Sequence, residues 1–484
     1  MSSVVQFVLD GEPMELANPN PTRTVLQYLR EDLHRCGTKE GCAEGDCGAC
    51  TVVVAELLPD GQRLAYKALN ACICFLPTLY GKALFTVESL SPGTASLHPV
   101  QQAMVDHHAS QCGFCTPGFV MSLYAQYQQQ QSLDRRSADE ALCGNLCRCT
   151  GYRPIIDAAL NMYNYPPPDD ALERQTIASL QTLECKPLKI QAPERAYYAP
   201  RTLQELTTLA GDHPDALLVA GGTDAGLWVT KQLRELPDLI YVGDVSELKQ
   251  ITLTHDTLSI GAAVTVTAAM EPLAQHFPGF AELFTRFASP PIRNAATLGG
   301  NIANGSPIGD SMPALIAAGA RVTLASAQQT RTLELQDFYL GYQQTARQPG
   351  EVVCEIAIPL PDPGTTLTAY KVSKRFDQDI SSVCAAFALH ILPNGTIGEA
   401  RVAFGGMAAI PTRAPHCEDA LQGRSWNEST LQDALAALAG DFTPISDMRA
   451  GAAYRTTIAA NLLKRFYLHS SGETGLLNVY DYGR

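Results

Sequence analysis

The sequence predicts a multidomain α+β chain, and three observations carry that prediction. Its 484 residues correspond to about three domains of roughly 150 residues, or four small ones. Strand-like and helix-like segments come in blocks: a hairpin with a helix and more strands, then helices alone, then two stretches in which short strands and helices mix. Eleven of the 15 cysteines fall in the first 150 residues, a crowding that asks for ligand chemistry rather than core packing.

Composition narrows the class. With 46% hydrophobic and 17% charged residues the chain is a folded globular protein. A formal net charge of -14 would repel a phosphate backbone, so neither nucleic acid nor an anionic membrane surface is expected as a partner. No run reaches the roughly 18 apolar residues of a membrane span. Asp10 and Glu12 stand where a signal peptide would be basic and then apolar. The expectation is a soluble, cytoplasmic protein.

The elements come in chain order. Residues 4–9 and 13–17 flank Asp10-Gly11, a pair suited to a tight hairpin. Val25, Leu26, Leu29 and Leu33 recur at helical spacing, and strands are expected from Thr51 and near 63–68. Helices are expected from His98, over Pro117–Gln130, Ser137–Leu142 and Arg153–Tyr163, with His107 and His108 on the first as surface or packing residues. The polar, proline-containing stretch from Tyr165 reads as a linker. Beyond it lie the strand-like segments Val352–Ile358 and Thr368–Val372 and an expected helix near Leu431–Ala439. The resulting division is 1–88, 89–165, a linker at 166–192, 193–367 and 368–484.

Cys42, Cys47 and Cys50 form C-x4-C-x2-C, and with Cys72 they reproduce the plant-type spacing of a [2Fe-2S] cluster. Glycines at 41, 45 and 48 let the loop turn sharply and aim N–H groups at sulfur. Cys112, Cys115, Cys147 and Cys149 make a second quartet at expected helix ends. Without a secretion signal, disulfides are the weaker explanation and metal ligation the better one. Zinc on four thiolates is the alternative for either quartet, and a C-x-C arm is unusual for a zinc knuckle. Cys36, Cys74 and Cys143 read as nearby thiols, with Cys72 against Cys74 left open as fourth ligand. Cys185, Cys354, Cys384 and Cys417 read as ordinary buried thiols. Two further segments, Leu217–Gly226 and Ala296–Asp310, concentrate glycine with Thr, Asn, Ser and Asp. They fit neither G-x-G-x-x-G nor a P-loop, and together they suggest one phosphate-bearing ligand.

Gly37–Thr51, Gln111–Gly118 and Gly144–Pro154 resemble, motif by motif, the two iron–sulfur domains of the xanthine dehydrogenase family of molybdenum hydroxylases. The glycine segments and Ala403–Ala408 resemble the flavin part of the same family, so the likeness covers nearly the whole chain. The resemblance implies a β-grasp ferredoxin-like domain, a four-helix [2Fe-2S] domain, an FAD-binding α+β domain of vanillyl-alcohol-oxidase type and a C-terminal α+β flavoprotein domain. It places FAD against Leu218, Val219, Ala220, Gly221, Gly222, Thr223, Asp224 and Ala225, and against Thr297 and Asn301. It adds Phe287, Asp310, Val353 and Lys371. It also implies two [2Fe-2S] clusters, NAD+ as electron acceptor and molybdopterin on a partner, expected as a large subunit in a heterotetramer with two copies of each chain. Electrons from oxidation of hypoxanthine or xanthine to urate would pass from molybdenum to the second quartet, the first, FAD and NAD+. No catalytic residue for substrate is expected here, since no Ser/His/Asp or Cys/His arrangement demands one. The alternatives are the same role in an aldehyde, nicotinate or carbon monoxide dehydrogenase, or a carrier module without molybdenum.

Overall fold

The computed structural model describes residues 2–91, 96–129 and 132–472. The expected helix end at Gln130 and the tail from 473 lie outside them. Two compact units are present: Met1–Ser246 with Ala288–Ala296, and Glu247–Phe287 with Thr297–Arg484. The segment read as 193–367 therefore contributes to both. Among the described residues no helix is long and apolar enough to cross a membrane.

The first unit opens with the expected hairpin, Val4–Leu9 against Glu12–Ala17. Asp10 and Gly11 both take positive φ, 54° and 81°, the geometry that matches a tight turn to strand twist. The sheet runs in the order 12–17, 4–9, 83–85, 51–57, 64–70, with 4–9 and 83–85 parallel, a β-grasp arrangement. Thr24 caps a helical turn at Val25–Gln27 through a capping box, and the chain continues as a π turn over Tyr28–Asp32. Val5, Phe7, Val25, Leu29, Val52 and Cys72 share the core beneath.

Four helices come next: Pro99–Asp106, Thr116–Gln129, Arg135–Leu142 and Arg153–Asn161. They close over Val100, Phe119, Leu123, Ile155 and Ala159. The first stops at Asp106, and His108 has a φ of 53°, so His107 and His108 lie past the helix rather than on it. The stretch 166–192 is more than a tether. Ala171–Thr182 is a helix whose Thr176 and Leu180 are buried, and Leu188–Gln191 is a strand. Leu172, Ile177 and Leu180 pack on the core around Val53 and Phe85; this apolar stripe at helical spacing outweighs the polar composition around it. The strand joins a sheet in the order 188–191, 196–199, 239–241, 217–219.

Among its described residues the second unit holds a two-stranded sheet that pairs Tyr339–Gly341 with Gln344–Thr345, and two larger sheets. One is antiparallel in the order 251–253, 257–261, 352–359, 321–325, 330–334. The other pairs Thr365–Val372, Val383–Ile391, Ile397–Gly405 and Thr412–Arg413. Helices Pro415–Leu421, Glu428–Leu438 and Ala452–Ser470 cover it, with Phe387 stacked on Phe466 at 5.1 Å.

Candidate iron-sulfur and flavin sites

Cys42, Cys47 and Cys50 lie on the loop that leads into the strand Thr51–Leu57, and Cys72 comes just after the strand Leu64–Asn70. Pairing of those two strands brings Cys72 to the loop, with Ala71 N–H donating to the Cys50 carbonyl at 3.2 Å. The Cys42 thiol touches those of Cys47 and Cys72, and Cys50 touches Cys72. Hydrogen bonds from Cys47 and Cys72 hold Cys42 far below the usual thiol range, helped by the N–H groups of Glu44 and Cys47, each 3.4 Å from its sulfur. The Cys72 hydrogen bond likewise lowers Cys50, while Cys72 and Cys47, as the donors, are driven up. The N–H groups of Glu44 and Cys47 aimed at the Cys42 sulfur are donors of the kind that support a cluster's thiolate ligands. Cys74 turns elsewhere: its sulfur lies 3.4 Å from Thr78 Oγ1 and burial raises its pKa.

In the second quartet Cys115 stands immediately before the helix Thr116–Gln129, and Cys147 and Cys149 precede the helix Arg153–Asn161. Its thiols meet in pairs, Cys115 with Cys147 and Cys112 with Cys149. Burial, then the Cys147 contact, pushes Cys115 up to about 12. Burial works against the Cys147 thiolate, yet Thr150 holds it below the ordinary value through its hydroxyl at 3.2 Å and its N–H at 3.5 Å. Contact with Cys112 raises Cys149. Among the described residues no three His, Cys, Asp or Glu side chains gather in a way that could hold a metal ion; the thiols of the first quartet run in a chain, Cys47–Cys42–Cys72–Cys50, and those of the second meet in two pairs. Four neighbouring thiols backed by N–H and O–H donors fit the ligand set of a two-iron cluster, in which each iron takes two of the four thiolates.

The glycine segments lie in different units. In the first, Leu218 and Val219 end a strand, Ala220–Asp224 form the turn, and Ala225 opens a short helix. Gly222 has φ +69°, and a Cβ on Gly221 would sit 1.9 Å from the Ala295 carbonyl oxygen, so backbone approaches backbone there. Among the described residues the N–H groups of Gly221, Gly222, Thr223 and Asp224 find no acceptor, a row of donors suited to an anionic group. That fits the phosphates of a dinucleotide. A cavity beside this turn is lined by Asn70, Ile73, Cys74, Thr223 and Ile292.

In the second unit Thr297 caps the helix Leu298–Asn304, accepting from Gly300 N–H at 3.0 Å, and Asn301 accepts from Ser311 Oγ at 2.5 Å. Asp310 precedes the next helix and binds Lys371 Nζ at 2.5 Å and Ser381 Oγ at 2.5 Å. The Lys371 side chain is 2% exposed, so its charge sits in a buried ion pair with Asp310. Phe287 is half-buried with its ring 6.4 Å from that of Phe284, and Val353 is buried on the strand Val352–Pro359. Cys185 is exposed, against the expected burial, whereas Cys354, Cys384 and Cys417 are buried; the short polar segment after Thr182 gives it no core to enter. Sequence reasoning does not single out Asn145, Thr150 or Ser122. Thr150 directly follows Cys149 and so carries a local signal; Asn145 and Ser122 show their role only in three dimensions.

Four family descriptions match in succession: a 2Fe-2S iron-sulfur cluster binding domain over residues 7–77, a [2Fe-2S] binding domain over 86–160, an FAD binding domain in molybdopterin dehydrogenase over 189–361, and a CO dehydrogenase flavoprotein C-terminal domain over 368–470. Xanthine dehydrogenase of Drosophila pseudoobscura pseudoobscura is 33% identical over 99% of the chain, which spans 40% of that relative's length. A carbon monoxide dehydrogenase structure from Hydrogenophaga pseudoflava is 30% identical, with a TM-score of 0.53, covering 56% of this chain and 94% of its own. Quinoline 2-oxidoreductase from Pseudomonas putida 86 is 27% identical, with a TM-score of 0.52, covering 58% and 97%.

Proposed function

This chain belongs to the molybdenum hydroxylase family as its iron–sulfur and FAD-binding electron-transfer part, and on that premise we propose that it serves a xanthine dehydrogenase. Electrons from the oxidation of hypoxanthine or xanthine on a molybdopterin-binding partner would cross this chain to NAD+. The observation that carries the proposal is continuity: 33% identity to a xanthine dehydrogenase runs through 99% of the chain, in one order of domains. The second reading is the same role in a carbon monoxide dehydrogenase, favoured by the 30% identity and 94% coverage of that solved chain. The heterotetramer with two copies of each subunit and a cytoplasmic location belong to the same proposal.

Cys42, Cys47, Cys50 and Cys72 are proposed to hold one cluster and Cys112, Cys115, Cys147 and Cys149 the other. The turn at Leu218–Ala225, and in the second unit Phe287, Thr297, Asn301, Asp310, Val353 and Lys371, are proposed for FAD. Iron–sulfur clusters pass single electrons and FAD takes one or two, which joins such carriers to the hydride chemistry of NAD. The chain's own groups then do three things. Thiolates and the N–H donors at Cys42 set the charge the first centre tolerates. The donors at Gly221–Asp224 neutralise phosphate. The buried Asp310–Lys371–Ser381 cluster fixes the strand end and helix start it joins.

The test is anaerobic, xanthine-dependent NAD reduction by the complex purified from its native host, with iron, molybdenum and flavin counted in one sample. NADH formation with about four irons and one FAD per copy supports the proposal. Bleaching by NADH with no response to xanthine leaves the electron-transfer role and removes the purine substrate.

A further inference from the structure

Resting on the cluster assignment proposed for the two quartets, we infer that Asn145 is a positioning residue that clamps the loop of the first quartet onto the segment carrying the second, and so sets the rate at which an electron passes between them. Asn145 is polar yet only 3% exposed. Both ends of its amide are committed. Nδ2 donates to the Gly48 carbonyl at 3.1 Å and to Thr51 Oγ1 at 3.3 Å, while Oδ1 accepts from Ser122 Oγ at 2.6 Å. Thr51 Oγ1 itself donates to the Gly48 carbonyl at 2.7 Å. One amide thus ties together the cysteine loop, the helix Thr116–Gln129 and the segment ahead of Cys147.

The residue after the clamp makes the second link. Leu146 N–H donates to the Cys47 carbonyl at 3.0 Å. Cys47 belongs to one quartet and Leu146 is bonded directly to Cys147 of the other, so a single hydrogen bond joins the short covalent stretches behind two ligand positions. Nothing wider than a hydrogen atom fits at this seam. A Cβ on Gly48 would lie 2.3 Å from the Gly144 carbonyl oxygen, and one on Gly118 would lie 2.0 Å from that of Gly48. Tunnelling decays steeply with distance and is carried better by bonds than by a gap, so a clamp that closes this seam acts on the rate. A buried amide satisfied at both ends also resists slippage, because opening it would leave polar groups unpaired.

In the step concerned one electron leaves the reduced centre on Cys112, Cys115, Cys147 and Cys149, which is oxidised, and reduces the centre on Cys42, Cys47, Cys50 and Cys72. No covalent bond forms or breaks and no proton is required.

The experiment uses the full chain purified with its iron and flavin, compared with Asn145→Ala and Ser122→Ala. Iron counts and visible spectra report whether both centres are built. Magnetic splitting between the two reduced centres reports their coupling, and one electron injected by a flash-generated deazaflavin radical reports its redistribution. With both centres retained, Asn145→Ala is expected to weaken the splitting and slow redistribution severalfold, since tunnelling falls with every added fraction of an ångström. Ser122→Ala, which frees only one bond to the amide, is expected to slow it by a smaller factor. A merely structural role would lower the melting temperature and leave splitting and rate where they were, which would overturn the inference. If Asn145→Ala does not assemble, an unchanged rate in Ser122→Ala overturns it equally. A parent chain without iron–sulfur centres removes both this inference and the assignment beneath it; a parent chain with both centres and an indifferent Asn145 removes the inference alone.

Discussion

The two cysteine quartets, proposed as ligand sets for the same kind of centre, lie in different surroundings. In the first, Cys50 and Cys72 are 1% and 2% exposed, seated among Val52, Leu29 and Phe75 in the sheet core. In the second, Cys112 and Cys149 are exposed, and Phe114, Leu146 and Tyr152 around them are exposed too. A strand pair delivers the first set and two helix starts the second. If both quartets hold clusters, spacing alone places the ligands, while the surrounding packing decides how well each centre is shielded and how its charge is supported.

The largest effect expected is a sharp contrast between neighbours in the buried quartet. Cys72→Ala should lower iron from about four to about two per chain, whereas Cys74→Ala should leave it near four; iron analysis checks both. Equal loss from the two variants would break the assignment of Cys72.

Acid should separate the two regions next. His98 caps the first of the four helices, and burial lowers its pKa from 6.5 to about 4. Its Nδ1 accepts from Val100 N–H, and among the described residues Nε2 has no partner. Because the unfolded chain takes up this proton first, the helical region keeps full stability above about pH 6.5. It loses up to about 3 kcal/mol as pH falls towards 4. Denaturant melts across that range should show the slope, and His98→Gln should flatten it without altering the first quartet's spectrum.

Exposure should also order iron loss. On treatment with a chelator the reduced-state signal of the second quartet is expected to disappear before that of the first, tracked by freeze-quenched spectra. The reverse order would contradict the burial argument. The smallest effect is electrostatic. Removing the Thr150 hydroxyl by Thr150→Val takes a donor from Cys147, so the reduced, more negative form loses support. The second centre's potential should fall by about 20–60 mV in a redox titration, the equivalent of one such hydrogen bond, with the first centre unmoved.

Much of this was legible in the sequence because it is local. The C-x4-C-x2-C run, the Asp10-Gly11 turn and the cysteines at helix starts depend on neighbours a few positions apart. What escaped depends on distant partners. Asn145 meets Gly48 across 97 positions, and Lys371 meets Asp310 across 61; neither pairing has a periodicity to read. The helix Ala171–Thr182 was hidden by its polar composition, because only its few packed residues decide the matter. Cys72 and Cys74 are two residues apart, so spacing treats them alike. Their side chains separate only when Thr78 takes one and Cys42 and Cys50 take the other.

Two distinct [2Fe-2S] centres, one shielded and one open, are proposed for this chain together with FAD. The direct measurement is a stepwise anaerobic reduction of the purified chain monitored by electron paramagnetic resonance, with iron, zinc and flavin counted in the same sample. About four irons, one FAD and two separate reduced-cluster signals are expected, of which Cys72→Ala abolishes one and Cys149→Ala the other. A colourless protein with zinc in place of iron, or a single signal abolished by both variants, would contradict the proposal.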